Sequence, residues 1–281
     1  MLTAKSGLQV LGPADLPMVQ ELLERDPVTN VFVDHRVRLT GLDPRWLGGE
    51  MWGYVEGREL VSLCHAAANL VPVEATGEAL EAFSSRALAK GRTCSSIVGP
   101  AGSVDGLWEI VAPRWGPARL VRRGQPFMTL DTKPLVHPDP RVRRVRPEEF
   151  EVLYPACVQM FTEEVGISPE IGGGRDLYQA RVRQLIAKGL AFARIEDGEV
   201  LFKAEVGAAT PRACQVQGVW VHPSRRGEGI STPGMAAVAM LAMEDIAPVV
   251  TLYVNAHNEA ARRCYERTGF TETCSFTTIL F

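Results

Sequence analysis

The sequence predicts an α/β (α+β) protein made of two halves, and three observations support this prediction. Strand-like runs alternate with helical segments along the 281 residues. A proline-rich stretch, residues 134–141, divides the chain near its middle and is the best linker candidate. The elements on its two sides follow one another in similar order. We therefore expect a duplicated unit, with one domain at residues 1–133 and a second at 142–281.

In the first half, each element is predicted from its side-chain pattern. The runs rich in apolar, β-branched or aromatic residues, and therefore predicted as strands, are residues 8–11, 51–55, 59–66, 94–98 and 120–130. The segments with helical periodicity or a helix-start signal are residues 13–25, 31–40, 76–90 and 104–112. Glu56-Gly57-Arg58 is a turn signal between two strands, so a hairpin is expected there.

The second half repeats this order. Its predicted strands are residues 142–146, 190–195, 200–208, 215–221, 251–254 and 276–281. Its predicted helices are residues 147–161, 176–188 and 232–244. Glu196-Asp197-Gly198-Glu199 predicts a hairpin turn, like the acidic-glycine turn of the first half.

The stretch from Val219 to Ser231 is the most informative part of the chain. A strand ends there, two arginines and two glycines follow, and a helix begins. Glycine lets the backbone approach a ligand closely, and a helix N-terminus presents free N–H groups to anions. The segment is therefore a candidate phosphate cradle, with an ordinary strand-to-helix turn as the alternative. It is neither a P-loop nor a dinucleotide fingerprint, because the required lysine and third glycine are missing.

A second motif follows at the next strand-to-helix junction. Its residues are Asn255, Asn258, Ala261, Tyr265, Gly269 and Phe270. Together with Arg226, Gly229 and Ser231, they resemble the two signatures of the Gcn5-related N-acetyltransferase (GNAT) superfamily. Ser231 stands where the family has glycine or alanine. The resemblance covers roughly residues 142–281.

The resemblance implies a tandem arrangement of two GNAT-like domains, each a mixed, mostly antiparallel twisted sheet flanked by helices. The first would be a degenerate copy, because residues 71–77 lack the arginine-glycine motif and carry Glu74, which would repel a pyrophosphate. An unrelated α/β domain is the alternative for this half. The second would be catalytic.

The resemblance also implies a reaction and a set of site residues. Acetyl-CoA would be the co-substrate, and its acetyl group would pass by direct attack to a primary amine on a small molecule, a protein lysine or a protein N-terminus. The residues that would bind coenzyme A are Val219, Val221, Arg226, Gly227, Glu228, Gly229, Ile230, Ser231, Asn255 and Asn258. Tyr265 would protonate the departing thiolate, although a core aromatic is the alternative for this residue. Asn255 and Asn258 also suit a turn and a helix cap.

Glu205 is the candidate general base. It shares a strand face with Lys203, because residues two apart on a strand point the same way. A solvated ion pair on the sheet face is the alternative for these two residues. Glu163 and Glu164 lie where the acceptor-binding loop of the family falls.

Composition and charge bear on the partners, the location and the metal content of the protein. The formal net charge is −3, which gives no indication of a nucleic-acid or anionic-membrane partner. No signal peptide or membrane-length apolar run is expected, and the six cysteines have no metal-ligand spacing. These observations predict a cytoplasmic protein without a metal site. The resemblance adds acetyl-CoA as the co-substrate, and we expect a monomer or homodimer.

Other functions stay open from the sequence alone. The tandem arrangement also resembles mycothiol synthase, which would make a small thiol metabolite the acceptor. A regulatory protein that binds acyl-CoA without turnover is a second alternative. Aminoacyl transfer from tRNA is a third, but it would need a basic surface that the charge balance does not suggest.

Overall fold

The structure is a computed structural model, and it describes residues 6–281. The strands of this part are β1 (Gly7–Leu11), β2 (Glu50–Glu56), β3 (Glu59–Ala66), β4 (Asn69–Val73), β5 (Ser96–Pro100), β6 (Leu120–Leu130), β7 (Arg143–Arg144), β8 (Ala191–Glu196), β9 (Glu199–Ala209), β10 (Ala213–Val221), β11 (Val249–Tyr253) and β12 (Thr271–Leu280). The α-helices are α1 (Leu16–Leu23), α2 (Val31–Thr40), α3 (Pro44–Leu47), α4 (Gly77–Lys90), α5 (Ala101–Trp115), α6 (Phe150–Val165), α7 (Arg175–Ala187), α8 (Ser231–Asp245) and α9 (Glu259–Thr268). None of the described helices is both long and apolar enough to cross a bilayer.

The chain folds into two compact units that are not continuous in sequence. The first unit contains the described residues up to Phe127, together with Tyr253–Asn258 and Glu272–Phe281. The second contains Met128–Leu252 and Glu259–Thr271. Most of β12 therefore belongs to the first unit, although it lies more than a hundred residues further along the chain.

The first unit is a sheet covered on both faces. Its strand order is β1-β2-β3-β4-β5-β12-β6. Neighbours β1 to β4 pair antiparallel, β4 and β5 pair parallel, and β5 pairs antiparallel with β12. Side chains of β2 alternate between two cores, because Met51 and Val55 pack with α1 and α2 whereas Trp52 packs with α4 and α5. Both faces of this sheet are therefore buried.

The second unit has strand order β11-β10-β9-β8-β7. Only β10 and β11 are parallel among these described strands. Helices α6 and α7 cover one face, with Leu153, Cys157 and Ile186 in the core. Helix α8 approaches the Phe202 side chain closely at Gly234, where an added Cβ would lie 3.0 Å from the phenyl ring. Phe202 of β9 therefore faces α8, and Lys203, the next residue along the strand, points to the opposite face of the sheet.

The predicted fold class is confirmed, since each unit is a mixed, mostly antiparallel sheet flanked by helices. Strand β3 has the predicted bounds, and α4 differs from its predicted segment by one residue. Strand β4 is missing from the prediction because it is short and contains Pro72, a residue that is unfavourable inside a sheet. The predicted strand at 142–146 is reduced to Arg143–Arg144.

The arginines around β7 are neutralised within the second unit. Arg141 pairs with Asp139, Arg143 and Arg146 pair with Glu149, and Arg144 pairs with Asp245; the N···O distances range from 2.6 to 3.3 Å. These pairs explain why a basic run in the sequence does not form a free cationic patch.

Candidate functional site

The loop between β10 and α8 has the backbone geometry of an anion cradle. Gly227 and Gly229 have φ angles of 83° and 77°, and no atom lies within 4 Å of the position that a Cβ would occupy at either residue. Within residues 6–281, no hydrogen bond uses a backbone N–H between Gly227 and Ser231. Several backbone donors at the N-terminus of α8 are therefore unpaired, an arrangement that favours a phosphate or another anion.

The two arginines of this loop are held by carboxylates. The Nη2 atom of Arg226 lies 2.6 Å from Oε2 of Glu163, and its Nε donates to the Val221 carbonyl at 3.1 Å. The Nε of Arg225 donates to Oε2 of Glu228 at 2.8 Å. Both ion pairs are substantially exposed, so each contributes little stability and can yield to an anion that binds more strongly.

Strand β10 changes its pairing halfway along. Its parallel register with β11 runs only from Ala213 to Gln215 within the described chain. On the other side, Gln217 pairs with Glu205 and Trp220 with Lys203, so Gly218 and Val219 form a β-bulge. Gly218 has a φ of 60°, which suits this bulge. The half of β10 that leads to the cradle is thus open toward β11 and can pair with a ligand that carries amide groups.

Tyr265 lies on α9 in the second unit. Its side chain is 7% exposed and meets Phe270 edge-on at 6.0 Å. Burial raises the pKa of Tyr265 above its ordinary value, and the nearby Cys264 and Glu164 add to this effect. The phenol is therefore protonated at neutral pH, as a proton donor must be. The same burial makes it a weaker acid.

Glu205 lies on β9 and is part of a buried polar group. Its Oε1 accepts a hydrogen bond from Gln217 at 2.8 Å and lies 3.6 Å from Nη2 of Arg181, while its Oε2 lies 3.5 Å from the Nζ atom of Lys203. Burial opposes ionisation of Glu205 most strongly, but Lys203, Arg181 and Gln217 together outweigh it and lower the pKa of this carboxyl. Glu205 is 7% exposed and Lys203 1%, so this ion pair is not solvated.

Three further members of this group come from the helices, and sequence reasoning missed them. Tyr178 and Arg181 lie on α7, and Cys157 lies on α6. The Tyr178 hydroxyl donates to the Cys157 carbonyl at 3.0 Å. Tyr178 and Arg181 stand three residues apart on one helix face, which was the one signal available in the sequence.

The two predicted asparagines lie elsewhere. Asn255 and Asn258 belong to the segment Tyr253–Asn258 of the first unit. The Oδ1 atom of Asn255 accepts a hydrogen bond from the buried Gln125 at 3.0 Å. The backbone N–H of Asn258 donates to the Asn255 carbonyl at 2.9 Å, immediately before α9. These contacts fit the turn and cap interpretation, and the predicted role in binding coenzyme A stays a prediction.

Two family models match the chain. Residues 173–270 match the model described as the acetyltransferase (GNAT) family. Residues 173–270 therefore form a GNAT-family domain. Residues 49–153 match a model described as a domain of unknown function, DUF4081. No curated protein sequence matches the chain significantly.

Solved structures extend the GNAT fold to the whole chain. An acetyltransferase of the GNAT family from Colwellia psychrerythraea aligns with a TM-score of 0.59 and 14% identity, covering 98% of this chain and 99% of that one. A GCN5-related N-acetyltransferase from Sphaerobacter thermophilus gives 0.62 and 16%, covering 97% and 94%. A tandem GNAT protein from the clavulanic acid biosynthesis pathway gives 0.56 and 14%, covering 98% of both chains. The chain thus has a tandem GNAT fold whose first half is a divergent copy.

Most of the predicted site residues of this GNAT domain lie on β10 and the loop that follows it, and the candidate base lies on the neighbouring strand β9. Residues 226–231 lie in the loop that is the candidate cradle, and Val219 and Val221 lie on the strand that leads to it. Glu205 lies beside the bulge of the same strand through its contact with Gln217. In the described part of the chain, no three histidine, cysteine, aspartate or glutamate side chains are grouped so that they could hold a metal ion.

Proposed function

We propose that this protein is an N-acetyltransferase that transfers the acetyl group of acetyl-CoA to a primary amine on a small molecule, a protein lysine or a protein N-terminus. One observation carries the proposal: the GNAT domain presents unpaired backbone N–H groups from Gly227 to Ser231, in the loop that follows the bulged strand β10. These N–H groups suit the pyrophosphate of coenzyme A. The half of β10 that is open toward β11 suits the amide-containing arm of coenzyme A.

The reaction is a direct attack. The acceptor nitrogen forms a bond to the thioester carbonyl carbon, and the carbon–sulfur bond breaks as the carbonyl re-forms. The backbone of β10 near Val219 would stabilise the negative charge that develops on the carbonyl oxygen, because fixed N–H dipoles act strongly in a site with little water. This role depends on the backbone, so the half-buried valine side chains can also serve the core.

Two side chains would move protons. Glu205 would receive the proton that the acceptor amine loses, directly or through one water molecule, since its carboxylate is ionised at neutral pH. Tyr265 would give its proton to the departing thiolate. Its buried, protonated phenol supports this role.

The ion pairs of Glu205 favour a second candidate function. A carboxylate that already contacts two cations is a weak base, so the domain could bind acyl-CoA as a regulator without turning it over. The two candidates make the same prediction for binding and opposite predictions for release of free CoA.

Thermal unfolding with and without acetyl-CoA tests the cofactor site. At 100 times its Kd, a ligand stabilises the native state by about 2.7 kcal/mol. We expect this shift in the parent and its loss in Arg226→Glu, which places a negative charge beside the cradle. Arg263→Glu is the matched control, because it also breaks one exposed ion pair of the second unit, with Glu259.

The outcomes separate the candidates. A shift in the parent and the control, lost in Arg226→Glu, supports acetyl-CoA binding at the cradle. Release of free CoA with an amine from a panel then supports the acetyltransferase, and binding without release supports the regulator. No shift in the parent would contradict both.

A further inference from the structure

Lys203 is a buried lysine at the centre of the second unit. Its side chain is 1% exposed, and within the described chain its Nζ atom makes no hydrogen bond. Burying an ammonium group without hydrogen-bond partners is costly, so such a group is uncommon in a core. A core needing only bulk at this position would be filled better by methionine or leucine. Lys203 therefore calls for a role that depends on its charge.

The charged groups around Glu205 single out Lys203. On β9, the Nζ atom of Lys203 lies 3.5 Å from Oε2 of Glu205. From α7, Arg181 reaches Oε1 at 3.6 Å, but its side chain is 47% exposed and is screened by solvent. The other titratable groups that the helices bring near Glu205 are Tyr178 of α7 and Cys157 of α6. Gln217 of β10, which donates a hydrogen bond to Glu205, is uncharged. On β8, the residues opposite Lys203 and Glu205 are alanines. Lys203 is thus the buried cation that faces this carboxylate.

The Lys203 ammonium and the Glu205 carboxylate both lie close to Gly218, in the bulge of β10. A Cβ added at Gly218 would lie 3.1 Å from Nζ of Lys203 and 3.3 Å from the carboxyl carbon of Glu205. Val219, the next residue, is where the proposed site would hold the acetyl group. The ion pair between Lys203 and Glu205 is therefore adjacent to the part of β10 at which the acceptor amine would attack.

We propose that Lys203 is a positioning residue, whose buried ammonium fixes the charge and the direction of the Glu205 carboxylate beside the bulge. This inference rests on the proposed acetyltransferase function. Burial alone would favour a neutral carboxylic acid at Glu205, which cannot accept the proton of the amine. With Lys203 in place, the amine proton passes to the carboxylate as the nitrogen–carbon bond forms.

The test compares Lys203→Met with the parent. Methionine keeps the length of the side chain and removes its charge. We expect the acid limb of the kcat profile to move up by at least one pH unit, because Glu205 protonates more readily. We also expect kcat at pH 7 to fall at least tenfold, because the carboxylate loses the ammonium that fixes its direction. The KM for acetyl-CoA should stay within twofold. The titration of the ¹³C-labelled Glu205 carboxyl carbon, assigned with Glu205→Gln, should move in the same direction without any substrate.

A double variant guards against a simple folding defect. Lys203→Met with Glu205→Gln removes both charges, so no buried charge is left unpaired. If Lys203 acts through Glu205, kcat of the double variant equals that of Glu205→Gln within twofold. A further tenfold loss in the double variant would assign Lys203 a separate role and overturn the inference.

The failure of the inference and that of the proposed function are distinguishable. If the parent releases no CoA with any amine, the acetyltransferase proposal fails, and the positioning role fails with it. If the parent turns over and Lys203→Met keeps both its kcat and its acid limb, the positioning role alone is overturned.

Discussion

The two units share an order of elements but differ in the connection that follows the fourth strand of each. In the second unit, nine residues, His222–Ile230, separate β10 from α8, and two of them are glycines in the left-handed region. In the first unit, only Glu74–Thr76 separate β4 from α4. The Glu74 and Ala75 carbonyls accept hydrogen bonds from Ser62 and Ser103 at 2.8 and 3.0 Å. One connection is open to a ligand, whereas the other is tied into its own unit.

The neighbouring strands differ in the same way. Near Gly99 of β5, an added Cβ would lie 3.5 Å from the Pro72 carbonyl of β4, so these two strands stay close beyond their last paired residues. Beyond Gln215, β10 has no register with β11 in the described residues, and it carries a bulge. Helix α5 contains no tyrosine, whereas α9 contains Tyr265. The first unit therefore keeps a sheet and helices like those of the second, without the open connection and without the tyrosine.

The largest effect should come from Tyr265 of α9, which has no counterpart on helix α5 of the first unit. Tyr265→Phe removes the proposed acid, and we expect kcat to fall by roughly 10²-fold or more, since general acid catalysis commonly contributes that much. The Kd for acetyl-CoA, measured by calorimetry, should change less than twofold. Tyr54→Phe of the first unit is the control; it removes a hydroxyl that bonds to Glu78 at 2.6 Å, and turnover should be unchanged. Equal kcat in Tyr265→Phe and the parent would exclude Tyr265 as the acid.

A second difference concerns pH. His65 of the first unit is 2% exposed, and burial, with Arg36 nearby, lowers its pKa to about 4. As pH falls from about 6.5 to 4, the unfolded chain binds a proton that the folded chain does not, so stability falls by about 3 kcal/mol. In the second unit, the lowered pKa of Glu205 contributes stability above the unfolded value of 4.5, and this contribution is lost only as pH falls through the lower folded value.

Denaturant unfolding at pH 7 and at pH 4.5 checks the role of His65. We expect the parent to lose stability between these values and His65→Leu to lose about 2 kcal/mol less, because leucine cannot bind the proton. The same pH dependence in both proteins would show that His65 is not the group responsible.

The smallest effect should come from the glycines at the two strand-to-helix junctions, Gly229 and Gly77. Gly229→Val places a β-branched residue at a φ of 77°, which costs about 1–3 kcal/mol in backbone strain, so the Kd for acetyl-CoA should rise roughly 10- to 100-fold. Gly77→Val of the first unit is matched, since Gly77 has a φ of 48° and open space around it. It should lower the melting temperature and leave the Kd unchanged. If the Kd for acetyl-CoA rose in Gly77→Val and not in Gly229→Val, the cofactor site would have to be assigned to the first unit.

The strand, loop and helix around residues 219–231 could be predicted from sequence because the glycines, the arginines and the helix start are adjacent in the chain. Binding of coenzyme A by this loop stays a prediction. The hairpin strands could also be predicted, since β3 follows a simple apolar pattern. The surroundings of Glu205 could not, because Cys157, Arg181 and Gln217 reach it from three separate elements. Sequence spacing showed that Lys203 shares its face, but whether that face is solvated or buried depends on α6 and α7.

The place of β12 could not be predicted either. Its apolar pattern identifies a strand, but no local signal shows that it pairs with β5 of the first unit. The predicted boundaries at residues 1–133, 134–141 and 142–281 stay a prediction for how the chain divides into independently folding domains.

The position of β12 also affects how this protein is made. The ribosome synthesises residues 6–127 well before Glu272–Phe281, and at about 5–20 residues per second the interval is on the order of ten seconds. During that time, β5 lacks its antiparallel partner and exposes an unpaired edge, which is a template for association with other nascent chains. The unit that contains residues 6–127 therefore completes its sheet only after most of the second unit has been synthesised.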